Sequence, residues 1–217
     1  QYTDSGTTLA DGSLQGGSID VRAKNITQTR SAVVSASSSE GEGGRVELIG
    51  DLGHGIGQFG GKIYAIGRRR GGFVDTSGAK LILNDSLRVD TSSADGETGL
   101  WLLDPVDFTI AASGGDLTGA ALNAALLNSN ITIQTLTGSV ACAGTGITCG
   151  TGNTSGNGDI HVNDSINATG THTLTLQASR DININKTVTV GGLNLTAVRN
   201  VNVNDVDNDR QRMRQHH

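Results

Sequence analysis

Proline is almost absent from this chain of 217 residues: Pro105 is the only one, and aromatics are nearly as scarce, with three Phe, two Tyr and one Trp. Large aromatic side chains dominate the cores of most compact domains. A narrow core of stacked Val, Ile, Leu and Ala needs few. There is no excess of positive charge either: net charge is −5 and the pI is near 5.4. A nucleic-acid binder carries a basic footprint, so no nucleic-acid partner is expected. No apolar run approaches the roughly 18 residues of a membrane-spanning helix. The start at Gln1 lacks a basic segment followed by an apolar one, so no signal peptide is expected here. We expect a mature or excised piece of a longer protein. Cysteine is limited to Cys142 and Cys149, in a Gly/Thr-rich stretch. In an oxidising compartment the pair reads as a small disulfide-closed loop, stabilising by about 2 kcal/mol. The alternative, half of a zinc site, lacks its other ligands.

What is abundant is glycine, at 32 residues, about twice the usual share of roughly 7%. A chain rich in Gly, Ser, Thr and Asn invites a reading of disorder. Its apolar residues, however, alternate strictly with polar ones, which disorder does not require. The stretch Leu174–Asn185 recurs 19 residues later as Leu193–Asn204, with apolar residues, Ala, Arg and the closing Asn in register. A period near 20 built of short alternating strands is the mark of a stacked repeat architecture. Glycine pairs (Gly16-Gly17, Gly43-Gly44, Gly60-Gly61 and Gly71-Gly72) each precede such a strand. They are expected to be turns at positive φ leading into strands. Further strands are expected at 80–83, 87–91, 107–111, 131–135, 159–163, 173–178, 181–185, 187–190, 193–197 and 200–204. The Ala- and Leu-rich stretch 118–128 is expected to form a short helix packed on the outside. Asp104-Pro105 should end the strand containing Trp101. The fold class is therefore all-β, a right-handed parallel β-helix (β-solenoid) with one short helical excursion near 118–128. At about 20 residues per rung and about 4.8 Å per step, roughly ten rungs would give a rod of about 50 Å. Residues 1–204 form the shaft. Residues 205–217 form a charged tail, with His216 and His217 read as the remnant of a purification tag.

Candidate chemistry is sparse. Glycoside hydrolysis needs two carboxylates about 5 to 9.5 Å apart. Asp75 and Asp90, both in Val-Asp-Thr contexts, are placed to lie on neighbouring rungs; the plainer reading is solvated turn carboxylates, as for Asp51 beside His54. No Gly-x-Ser-x-Gly elbow is present. His54, His161 and His172 lack metal-ligand spacing, and His161, between Ile160 and Val162, should face outward. The run Asp205, Asp207, Asp209 resembles the start of a calcium loop, but Arg210 stands where the turn glycine is needed. No metal site and no cofactor are expected. Trp101 is read as a structural corner residue rather than a sugar-stacking platform. Arg68, Arg69 and Arg70 form the densest basic cluster: either a plain basic turn or a grip for an anionic glycan. Asn-x-Ser/Thr triplets at Asn25, Asn84, Asn130, Asn153, Asn163, Asn167, Asn185 and Asn194 are acceptor patterns for N-glycosylation.

Three segments carry a family likeness: Gly71-Gly-Phe-Val-Asp75-Thr-Ser-Gly78, Leu87-Arg-Val-Asp90-Thr91, and Gly99-Leu-Trp101-Leu-Leu-Asp104-Pro105-Val-Asp107-Phe-Thr-Ile110. With Gly114–Gly119 and Gly156–Ile160 downstream, they resemble the region after the secretion domain in filamentous-haemagglutinin-like exoproteins of two-partner secretion systems. The resemblance covers roughly residues 43 to 204. It implies a parallel β-helix secreted by a Gram-negative bacterium through an outer-membrane transporter partner, with a role in adhesion, aggregation or biofilm. The Asn-Pro motifs of the secretion domain are absent, so transporter recognition is not assigned to this segment. The expected function is thus structural and adhesive and not enzymatic. Glycans or cell-surface receptors would be the partners, at the cell surface or in the secreted fraction. End-to-end or side-to-side self-association is physically plausible, because terminal rungs expose strand edges. Two alternatives stand beside it: an extracellular polysaccharide-degrading β-helix enzyme, and a stick segment presenting a distant toxin domain.

Overall fold

The computed structural model describes residues 1–135 and 156–204. The Cys142–Cys149 pair, Asn153 and the tail 205–217 lie outside the described residues. Within them the regular structure is short β-strands with one helix, Gly119–Ala125. Every strand pairing is parallel. The longest sheet has seven strands: Ser18–Arg22, Arg45–Ile49, Phe73–Ser77, Leu100–Leu103, Asn130–Thr135, Thr173–Ala178 and Gly192–Ala197. From each of its first three strands the chain passes to a four-stranded sheet (Ile26–Gln28, Ile56–Phe59, Lys80–Leu83, with Tyr2–Asp4 at its start). It then crosses to a second one (Val33–Ser35, Lys62–Tyr64, Arg88–Asp90, with Thr7–Leu9) before returning. Beyond Leu103 the second station becomes the sheet of Phe108–Ile110, Ile160–Val162, Asp181–Ile184 and Asn200–Val203. The third becomes the helix and then the pair Ile166–Asn167 and Val188–Thr189. The chain therefore visits three walls in a fixed cyclic order.

Parallel strands buried on one face should alternate, and these do. Columns of inward residues run along the stack: Val46, Val74, Trp101, Ile131 and Leu174 are register neighbours, each at most 1% exposed. Leu103, Ile133 and Leu176 form the next column. The run Leu100–Leu103 is not buried on both sides: Trp101 and Leu103 point in, while Leu100 and Leu102 stay half-exposed on the outer face. Trp101 donates its indole N–H to Thr76 Oγ1 at 2.8 Å, so its buried donor is satisfied inside the core. Its role is structural, as expected, but it sits inside a strand and not at a corner.

The coils are longer than the near-20 period suggests. Ser18 pairs with Arg45, 27 residues on, and Arg45 with Phe73, 28 on; the spacing of 19 is found in the last coil, from Thr173 to Gly192 and from Asp181 to Asn200. Seven strands make six steps, or about 29 Å along the stack, not the roughly 50 Å of ten rungs. The extra residues lie in a corner between the third wall and the seven-stranded sheet. There Ser38 Oγ accepts from the Gly41 amide at 3.0 Å and donates to the Ser13 carbonyl at 2.9 Å. Ser93 repeats both bonds, with the Gly96 amide and the Arg68 carbonyl.

The glycine pairs beside this corner do not have positive φ; among the described residues only Gly114 and Gly158 do. Their reason is crowding. A Cβ on Gly44 would overlap the Gly17 carbonyl oxygen of the coil below, and one on Gly43 the Ala65 carbonyl of the coil above. In the pairs 43–44 and 71–72 the first glycine faces the next coil and the second the previous one, so neither tolerates a side chain.

The helix forms where expected but not outside the stack. Thr118 caps it, accepting from the Ala121 amide at 3.1 Å. Its Leu122 and Leu126 are fully buried in the same core as the strands. It fills the third wall for one coil. Towards the other end, the repeat seen in the sequence stacks in register from Leu174↔Leu193 to Ile184↔Val203. Its asparagines form ladders: Asn185 donates to Asn163 at 2.7 Å, Asn204 to Asn185 at 2.8 Å, and Asn202 to Asn183 at 2.9 Å.

Candidate functional site

The arginine triplet lies at the Ser/Gly corner, where successive coils stack Gln15, Glu42, Arg70 and Glu97 in bridge register. The structure brings acidic residues from both neighbouring coils onto it. Arg68 pairs with Asp95 at 2.8 Å and Glu40 at 3.6 Å, and Arg70 with Glu97 at 3.4 Å. Arg69 stands exposed beside them. The cluster is therefore one rung of an alternating-charge ladder, and two of its three guanidiniums already have carboxylate partners.

Asp75 and Asp90 are not side by side. Asp90 pairs with Tyr64 in a different wall, where its carboxylate caps the Ser92 amide at 2.9 Å. Asp75 has Glu47 as its register neighbour, and Glu47 has Asp20, so the outer face of the seven-stranded sheet carries three stacked carboxylates. Arg22 reaches Asp20 at 3.0 Å and Glu47 at 3.6 Å, and Arg45 donates to Glu47 at 2.8 Å. The Arg45 hydrogen bond holds Glu47 below the usual carboxylate range. Burial pushes Asp75 up to about 6, against the hydrogen bond donated by Ser77 Oγ, with Glu47 raising it further. Two adjacent carboxyls with opposite shifts resemble a general acid–base pair. Asp75, however, is only 7% exposed, which leaves no approach for a glycosidic oxygen.

Beside this row runs a trench of about 810 Å³. Its floor is the column of glycines at 16–17, 43–44, 71–72 and 99. One bank carries Arg45, Phe73 and Leu100, and the other Arg70 and Glu97. The Arg45 guanidinium lies over the Phe73 ring, 4.1 Å from its centroid. The sequence reading passed over Arg45, Glu47 and Phe73. The signal was present, since all three occupy outward positions of strands that follow a glycine pair. Their assembly required the register.

The remaining candidates have structural partners. Asp51 caps the amides of Gly53 and His54. His161 faces outward, as expected, between the fully buried Ile160 and Val162. His172 donates from Nδ1 to the Leu126 carbonyl at 2.7 Å and accepts from Thr98 Oγ1 at 3.0 Å, tying the helix end to the corner. Asp107 accepts from the amides of Asn157, Gly158 and Asp159, a nest of successive N–H groups that fixes this turn against the preceding coil. Arg180 clamps Asp159 and Arg199 clamps Asp181, each with two donors, repeating one inter-coil contact. Asn25 accepts from the Ile56 amide and Asn130 from the Thr173 amide, so two of the glycosylation-pattern asparagines serve the stack.

No family model, curated protein or solved structure matches the chain. The class defined by the fold is an all-β protein of stacked parallel strands.

Proposed function

We propose that this chain is a shaft segment of a secreted bacterial surface exoprotein: a right-handed parallel β-helix that projects from the cell and contributes to attachment or aggregation. The right hand follows the rule for parallel crossover connections. The observation that carries the reading is the in-register stacking of one wall through seven coils, with side-chain ladders along a neighbouring wall. Such a stack extends by addition of like coils and holds its length without a large core. Its outward rows of Asn, Thr, Arg and Asp offer repeated weak contacts, which multivalency turns into useful avidity. The motifs from Gly71 to Ile110 support the filamentous-haemagglutinin-like assignment. With it come an outer-membrane transporter as export partner and glycans or a cell-surface receptor as targets. The proposal includes no catalytic step, because Asp75, whose shift is opposite to that of its neighbour Glu47, is buried.

Beads coated with the chain test the reading. They should adhere to host-type epithelial cells, or clump with bacteria displaying the same chain, above beads coated with an unrelated acidic β-protein. Equal retention of both bead types would remove the adhesive role.

A further inference from the structure

We infer that the glycine-floored trench is a binding site for an unbranched acidic oligosaccharide, one bearing uronic-acid carboxylates, laid along the stack across several coils. The inference rests on the adhesive reading and assigns it a site.

The trench is a consequence of the backbone rather than of side-chain choice. Gly44, Gly72 and Gly99 each face the carbonyl of the glycine one coil below, and Gly16, Gly43 and Gly71 each face the coil above, at distances no Cβ can occupy. The floor is therefore bare peptide along its length. Its volume of about 810 Å³ falls in the range of small-ligand sites, but it is an open channel running across the strands. That shape suits a linear chain of rings better than a compact ligand.

The banks supply the recognition chemistry. Arg45 donates one Nη2 bond to Glu47 and is half exposed, so the rest of its guanidinium fork faces the trench. Arg70, on the opposite bank, is held only by a 3.4 Å contact to Glu97, and both side chains are largely exposed. A planar guanidinium with spare donors binds a carboxylate through two parallel hydrogen bonds, and an exposed ion pair contributes little that the ligand must replace. Asn130, at the end of the first bank, is committed by its amide to Thr98 and Gly99 and closes the trench. Phe73, lying between Arg45 and Leu100 in the register, adds an apolar edge to this bank rather than an open ring face.

Titration of the full chain with a galacturonic-acid hexamer, and with a neutral hexamer of the same length, tests this. The acidic hexamer should bind and the neutral one should bind far more weakly. Arg45→Gln and Arg70→Gln should each weaken binding roughly tenfold or more, the loss of one charge-assisted contact. Arg69→Gln, at the corner but off the trench, should leave it unchanged. Arg70 is largely exposed, so its variant should keep the circular dichroism spectrum and melting temperature; Arg45→Gln should keep the spectrum, and titration well below both melting temperatures separates binding from folding. No binding of the acidic hexamer, equal binding of both hexamers, or loss only with Arg69→Gln would overturn the site. If wild-type beads still adhere to cells and Arg45→Gln beads do so equally well, the trench fails while the adhesive reading stands. If no beads adhere but the hexamer binds in an Arg45-dependent way, the reverse holds.

Discussion

Asp75 is a carboxyl group placed where water hardly reaches, so its protonation is coupled to folding. Its folded value of about 6 lies above the ordinary 3.8, so between these values the folded chain holds more protons than the unfolded one. Stability from this group is therefore greatest below about pH 4 and declines as pH rises through 6, by about 3 kcal/mol in the limit. Asp75→Asn keeps an acceptor for Ser77 and removes the charge. It should raise the urea midpoint at pH 7.5 and change it little at pH 4.5; an equal shift at both would show that Asp75 is not protonated on folding. Asp181 works in the opposite sense. The Arg199 fork lowers it to about 2, so its contribution is present above pH 4 and is lost as pH falls towards 2. At Trp101 the concern is a donor rather than a charge. Thr76→Val removes the acceptor of a fully buried indole N–H and should cost about 1–3 kcal/mol. As the sole tryptophan, Trp101 reports the transition by its own fluorescence.

Glycine pairs and the helix decide matters at the scale of elements. Alanine in place of glycine within extended structure ordinarily stabilises by about 0.5–1 kcal/mol. Gly44→Ala should do the reverse, because its Cβ would force two coils apart, whereas Gly6→Ala, with open space around the position, should be neutral or mildly stabilising. Thermal melts of the two variants give the comparison, and matching shifts would refute close stacking at Gly44. The helix depends on tertiary burial more than on its cap. Leu122→Ala should cost about 2–5 kcal/mol, and Thr118→Ala about 1 kcal/mol. A helix lying outside the core would show the smaller figure for both. Much of this level was legible in the sequence: the Ala/Leu composition marked the helix, and Asp104-Pro105 marked the end of a strand. Ile56–Phe59 and Val33–Ser35 were not legible as strands. One contains a glycine, the other is three residues long, and neither shows alternation without its neighbours above and below.

For the whole molecule, each coil touches mainly the coils next to it, so local stability should follow position along the stack. Strands at the middle, such as Phe73–Ser77 and Leu100–Leu103, are paired on both edges. Gly192–Ala197 and Asn200–Val203 are edge strands of their sheets, and Val201 and Val203 are exposed. Hydrogen exchange should be slowest between residues 46 and 133 and fastest from 192 to 204. Uniform protection would mean that the coils open as one cooperative unit.

Taken alone, the sequence determined the coarse class, mostly β with parallel pairing: alternation set which side of many strands is buried, and the 19-residue repeat set how the last coils stack. It also identified the candidate residues one at a time. Only the tertiary structure decided which of them meet. In a parallel stack the neighbour of a residue lies one coil away, and coil length here varies with the corner and the helix. A spacing of 15 residues therefore placed Asp75 and Asp90 in different walls, while a spacing of 28 placed Asp75 against Glu47. The glycines were visible from the start as turn residues; that they form the floor of a trench follows from the close approach of peptide planes in adjacent coils.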